Sequence, residues 1–186
     1  MRHVISALVV NEPGVLANVA GMFAARGFNI DSLVVGRTED PVYSRMTVVV
    51  DGDTNVIDQV RKQLAKLVAV TEVVDLTETE FVERDLMLVR VTVGPQGRGE
   101  VLEIVRTFRG KVVDVAPESL VIELTGTEQK LIALAELLKG YGVEELARTG
   151  VIGMPRGMQP GRSAEAVAGK RTRSLQGVAG EALPPS

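Results

Sequence analysis

The stretch HVISALVVNEPGVLANVAGMFAARGFNIDSLVVG, residues 3–36, decides how this chain folds. His3–Val10 is an unbroken run rich in β-favouring residues. Asn11-Glu12-Pro13-Gly14 interrupts it with a turn signal. Val15, Leu16, Val19, Met22 and Phe23 then recur at helical spacing, and Gly27 after Arg26 marks a helix stop. Phe28–Gly36 reads as a second strand. A strand, a tight loop, a helix and a strand in so short a span place both strands in one sheet with the helix on its face.

Outward from this stretch the pattern continues. Glu39-Asp40-Pro41 turns the chain into a third strand, Ser44–Val50, which Asp51-Gly52-Asp53 breaks. Val56, Ile57, Val60, Leu64, Leu67 and Val68 form a second helical stripe, and Val70–Leu76 a fourth strand. The order is βαββαβ, and the following residues repeat it without obvious identity. Leu86–Val93 is a strand, and Gly94-Pro95-Gln96-Gly97 a loop. Val101, Leu102, Val105 and Phe108 make a helix face. Lys111–Val115 and Leu120–Leu124 flank a turn at Pro117-Glu118. Leu131, Leu134, Ala135 and Leu138 make the last helix, and Val143–Leu146 closes the sheet.

The fold class expected is α+β, with two ferredoxin-like βαββαβ units in series over residues 1–77 and 78–157. Each is an antiparallel sheet with its helices on one face. A unit of about 70 residues buries a marginal core. Its bare sheet face must therefore be covered by the other unit, by a second chain, or by both. Residues 158–186, rich in Gly, Pro, Ser and Ala, read as a flexible tail.

Composition narrows the chemistry. Cysteine is absent, which removes thiolate nucleophiles and Cys-ligated zinc. The single histidine, His3, would have to serve any Ser-His-Asp triad, and a two-histidine metal site cannot form. A net charge of −3 and 3% aromatic residues argue against nucleic-acid binding, which needs a basic footprint and stacking platforms. No apolar run reaches the roughly 18 residues that a membrane span needs, and Met1-Arg2-His3-Val4-Ile5 lacks signal-peptide features. The expectation is a cytoplasmic protein with no membrane partner.

The segment with binding chemistry is Asn11–Leu16, where a strand end meets a helix start. Gly14 allows close approach to the backbone. The N–H groups of Gly14, Val15 and Leu16 at the helix N-terminus form an anion site that the helix dipole strengthens. No Gly-Lys-Ser/Thr pattern follows, so the guest is a carboxylate rather than a nucleotide phosphate. Asn11 offers both a donor and an acceptor. Asn29 and Asp31, after Gly27, can meet an ammonium group. The plainer alternative is a tight turn in which Asn11 only caps the helix.

The pattern N-E-P-G-V-L, continued through Arg26-Gly27-Phe28-Asn29-Ile30 and Ser32-Leu33, resembles the ACT domain of the small, regulatory subunit of acetohydroxyacid synthase (acetolactate synthase). Asp40-Pro41, Ser44-Arg45-Met46-Thr47, Gln63-Leu64 and Lys66-Leu67-Val68 fit the same subunit. So do Val82-Glu83-Arg84-Asp85-Leu86-Met87-Leu88-Val89, Phe108-Arg109-Gly110 and Ala147-Arg148-Thr149-Gly150. The similarity runs in order over residues 2–157.

The resemblance implies a chain with no catalytic residues, metal or cofactor of its own. It implies a catalytic (large) subunit as partner, which holds thiamine diphosphate, a divalent metal and FAD and condenses pyruvate with itself or with 2-oxobutyrate. The small subunit would activate that partner and confer feedback inhibition by valine or a related branched-chain amino acid. It would do so as a homodimer or higher oligomer. The effector positions implied are Asn11, Gly14, Val15 and Leu16 of one chain with Asn29 and Ile30 of the other. Rival readings are a free-standing ACT sensor of another enzyme or regulator, an RNA-binding module, and an enzyme using Glu83 or Asp85. The RNA module lacks the stacking rings that its central strands would need.

Truncation after Gly161 is expected to leave the melting temperature and self-association unchanged. A clear fall in either, by calorimetry or sedimentation, would assign the tail a packing role.

Overall fold

A computed structural model describes residues 1–157. The tail reading falls on residues 158–186, outside the described residues. The first unit comprises β1 (Arg2–Val10), α1 (Val15–Ala24), β2 (Ser32–Arg37), β3 (Tyr43–Asp51), α2 (Thr54–Leu64) and β4 (Val70–Asp75). Its sheet has the order β2-β3-β1-β4, antiparallel throughout. After a short 3-10 turn come β5 (Phe81–Thr92), α3 (Arg98–Thr107), β6 (Lys111–Ala116), β7 (Ser119–Gly126), α4 (Glu128–Leu138) and β8 (Val143–Arg148). The second sheet has the order β6-β7-β5-β8. The two ferredoxin-like units are thus as the sequence implies.

Period-two alternation explains the packing. Ile5, Ala7 and Val9 of β1, with Met46, Val48 and Val50 of β3, face the helices. There they meet Val19 and Phe23 of α1 and Ile57, Val60 and Leu64 of α2. In the second unit Met87, Val89 and Val91 meet Val101, Leu131 and Leu134 in the same way. Asp53 caps α2, its carboxylate accepting from the Val56 N–H at 2.9 Å.

Three departures from the sequence reading concern the junction. First, β2 begins at Ser32, not Phe28, because Phe28 and Ile30 are drawn into the core, Phe28 edge-on to Phe23. Second, β5 begins at Phe81, not Leu86. Third, an unforeseen strand, β9 (Ile152–Pro155), pairs with Phe81–Arg84 of β5. One strand therefore serves both the second sheet and a two-stranded ribbon that reaches back over the first.

This ribbon covers part of the bare face of the first sheet. Val4 and Val49 on that face pack with Leu76, Phe81 and Val151. The approach is close. A Cβ on Gly153 would lie 2.6 Å from Leu76 Cδ1, and one on Gly150 (φ +89°) 2.5 Å from Ser32 Oγ. The Val151 N–H donates to Ser32 Oγ at 3.1 Å.

Charged groups lock the same junction. Arg2 lies within ion-pair distance of Glu83 (3.1 Å) and Glu128 (2.7 Å), although the latter approach is off the hydrogen-bond direction of Nε. Asp85, with a fully buried side chain, accepts from Arg148 Nε at 2.8 Å and from Nη2, and pairs with the Thr149 hydroxyl. Partial burial disfavours the charged form of Arg148, but the hydrogen bonds it donates to Asp85 and Glu128 outweigh that effect, so its pKa is raised.

Removing one member of a buried ion pair leaves the other uncompensated, a loss of about 3–5 kcal/mol. Arg148 is partly exposed and keeps Glu128. Asp85→Ala is therefore expected to cost toward the lower figure in urea unfolding, with Asp85→Glu recovering only part. An unchanged midpoint would show that the pair adds nothing to stability.

Candidate functional site

The β1–α1 loop is held from both sides. The Val10 N–H donates to the Ala69 carbonyl (2.8 Å) and the Asn11 N–H to the Val42 carbonyl (2.7 Å). The Asn11 side chain does not cap the helix. Its Nδ2 donates to the Pro41 carbonyl (3.1 Å) and its Oδ1 accepts from the Ser44 hydroxyl (3.1 Å). The amide thus pins the loop to the β2–β3 hairpin.

Gly14 takes the N-cap position of α1 with φ 85° and ψ −16°, left-handed values that L side chains rarely adopt. No side chain caps α1, and its first turn contains no acidic residue. Its positive end therefore opens to solvent beside exposed Glu12, Pro13 and Gly14. The Val15 N–H makes a long bond to the Glu12 carbonyl, at 3.4 Å, and its side chain belongs to the core. Leu16 is 46% exposed and forms an apolar shoulder. Val42, 48% exposed on the hairpin tip, is a neighbour that sequence reading missed. It lies about 30 residues away along the chain, and only strand pairing brings it there.

Asn29 and Ile30 lie elsewhere. The Asn29 Nδ2 donates to Asp31 Oδ1 at 2.6 Å, and Ile30 packs partly into the core. Register fixes the separation. Ser32 pairs with Val49, which pairs with Val4, whereas Asn11 follows Val10, paired with Tyr43. The six positions from Val4 to Val10 span roughly 20 Å at ~3.3 Å per residue. Within one chain the two groups stand at opposite ends of the sheet.

Among the described residues no three His, Asp or Glu side chains are grouped to hold a metal, and no helix is long and apolar enough to cross a membrane. The loop presents backbone donors, the positive end of a helix and apolar shoulders at Leu16 and Val42.

Comparison with known proteins agrees in both units. Residues 5–72 match the family model of the AHAS small subunit-like ACT domain, and residues 84–157 that of the small subunit of acetolactate synthase. A probable acetolactate synthase small subunit of Archaeoglobus fulgidus is 52% identical over 157 residues, covering 84% of this chain and 98% of that protein. The acetolactate synthase small subunit of Mycolicibacterium smegmatis is 48% identical over 155 residues, covering 83% and 91%. The crystal structure of the small subunit from Thermotoga maritima superposes with a TM-score of 0.78 at 42% identity, covering 86% of this chain and 99% of that one.

The two asparagines differ in structural work. Asn11→Ala removes the acceptor of Ser44, a buried residue, and is expected to cost about 1–2 kcal/mol in thermal unfolding. Asn29→Ala removes only an exposed bond to its neighbour Asp31 and is expected to melt with the parent. Equal losses would contradict the pinning role of Asn11.

Proposed function

This chain belongs to the acetolactate synthase small-subunit family, and we propose that it regulates a separate catalytic subunit by binding a branched-chain amino acid, valine foremost. The effector's carboxylate would sit on the α1 N-terminus at Gly14 and Leu16, beside Asn11. Its ammonium would face Asn29 of a second chain, with Ile30 and Leu16 flanking its side chain. Thiamine diphosphate, divalent metal and FAD belong, on this reading, to the catalytic partner.

The observation that carries the reading is a matter of strand direction. β2 is an exposed edge strand, and it runs parallel to β1 because both are antiparallel to β3. If two chains pair β2 against β2 about a twofold axis, the strands are antiparallel. The start of one β2 then lies at the end of the other. Asn29-Ile30 of the second chain is brought to the Asn11–Leu16 end of the first, across the gap that separates them within one chain. The seam would hold two equivalent pockets, each built from both protomers.

The magnitudes are modest. A carboxylate at a helix N-terminus gains about 0.3–1 kcal/mol from the dipole, more when partly buried. One methylene in an apolar pocket is worth about 1–3 kcal/mol. Valine, leucine and isoleucine would thus differ by modest factors. A ligand held by both chains stabilises the dimer by mass action.

The test is reconstitution with the catalytic subunit, measuring turnover with and without this chain and valine. Activation by the chain, and inhibition by valine only in its presence, is the expected result. Gly14→Asp, which sets bulk and negative charge where the carboxylate binds, should abolish valine sensitivity while activation survives. A variant as valine-sensitive as the parent would displace the site from this loop. Sedimentation of the isolated chain should show valine shifting it toward dimer. A monomer that binds valine with full affinity would defeat the shared pocket.

A further inference from the structure

A groove of about 290 Å³ lies on the bare face of the first sheet, beside the β5–β9 ribbon. Val34 and Thr47 line it from the sheet, and Val82, Ile152 and Met154 from the ribbon. Arg37, Arg45 and Arg84 also line it, and no Asp or Glu does. Among the described residues none of these guanidiniums is ion-paired. Arg45 donates to the Ser6 hydroxyl (3.0 Å) and Arg84 to the Glu83 carbonyl (2.6 Å). Thr47 is only 3% exposed, and it lines the groove. Gly36, on the groove wall, leaves open space where a side chain would stand.

We propose that this groove is a second binding site, for a small carboxylate with a branched apolar body and no ammonium group, of the 2-oxo or 2-hydroxy acid class. Three cations without counter-charge beside an apolar wall focus a positive potential. A carboxylate placed there gains charge-assisted hydrogen bonds, which the planar fork of a guanidinium can make in pairs. The hydroxyl of Thr47, in the groove lining, supplies a further donor for a keto or hydroxyl oxygen. An α-ammonium group finds no anion and is repelled by the same guanidiniums. The groove therefore discriminates against amino acids, the opposite preference to a site that offers Asn29 and Asp31. Its volume lies at the small end of ligand pockets, suiting a metabolite rather than a cofactor. The proposal stands whether or not the β1–α1 loop binds an effector.

The probes are 3-methyl-2-oxobutanoate and valine, titrated by calorimetry into the full chain at low salt. The oxo acid is expected to bind saturably, and prior saturation with valine to leave its affinity unchanged. The double variant Arg37→Gln/Arg84→Gln alters two exposed side chains and should weaken the oxo acid by roughly tenfold or more. Gly36→Leu should fill the groove and abolish binding. Circular dichroism checks that both variants fold. Arg37→Gln alone provides a second reading where the double variant does not. No saturable binding at millimolar oxo acid would overturn the proposal, as would equal affinity in the variants or competition with valine. Protection of the groove by a protein partner, with no oxo acid bound, would reassign it to docking.

Discussion

A four-stranded sheet with both helices on one side leaves an apolar face, and hiding that face organises the rest of this molecule. Val4 and Val49 point away from the helices and are nonetheless almost fully buried. They are covered by Leu76, Phe81 and Val151, residues of the linker and of the β5–β9 junction. The cover is a ribbon made by prolonging β5 four residues beyond its own sheet and pairing the extension with β9. Because the same strand forms the spine of the second sheet, hydrophobic burial in one unit fixes the placement of the other. The ion pairs of Arg2 with Glu83 and Glu128 add direction to a contact that apolar packing alone leaves free to slide.

The same arrangement ties the start of β2 to the second unit. Ser32, immediately after Asn29-Ile30-Asp31, accepts the Val151 N–H. Gly150 and Val151 continue directly from Thr149 and Arg148, which hold Asp85 of β5. The start of β2 is thus mechanically joined to the second unit, with no room at Gly150 for even a methyl group. Close-packed contacts of this kind do not deform continuously. A shift at the beginning of β2 must be matched by the Thr149–Val151 segment or break its hydrogen bond.

Local periodicity made most of the fold legible. The alternation of β1 and β3 and the stripes of both helices in each unit identify their own faces, and the repeated order identifies two units. The misreadings occurred where tertiary packing outweighs local preference. Phe28 and Ile30 look like strand residues, yet they pack into the core ahead of the strand. Ile152–Pro155 is too short to signal itself, and only its partner, Phe81–Arg84, makes it a strand. In the β1–α1 loop, Gly14 reads as permitting close approach to the backbone, and the left-handed conformation it adopts is a second reason for glycine there. The contacts of Asn11 with Pro41 and Ser44 were not readable, since these partners lie across a hairpin about 30 residues away.

His3, Glu83 and Asp85, the groups that the enzymatic readings named, are engaged in structural contacts. His3 directs Nδ1 to Asp75 at 3.2 Å, and its Nε2 is buried without a partner. Asp85 is enclosed by Arg148 and Thr149, and Glu83 is drawn to Arg2. A general base must be free to take a proton at a reacting atom. A carboxylate already bonded to a guanidinium at a domain junction would surrender structural stability to do so. Other accessible groups are of a different kind, among them the open end of α1, the amide of Asn29, and three guanidiniums over an apolar wall. All lie on or beside the first sheet, which the ribbon joins to the second.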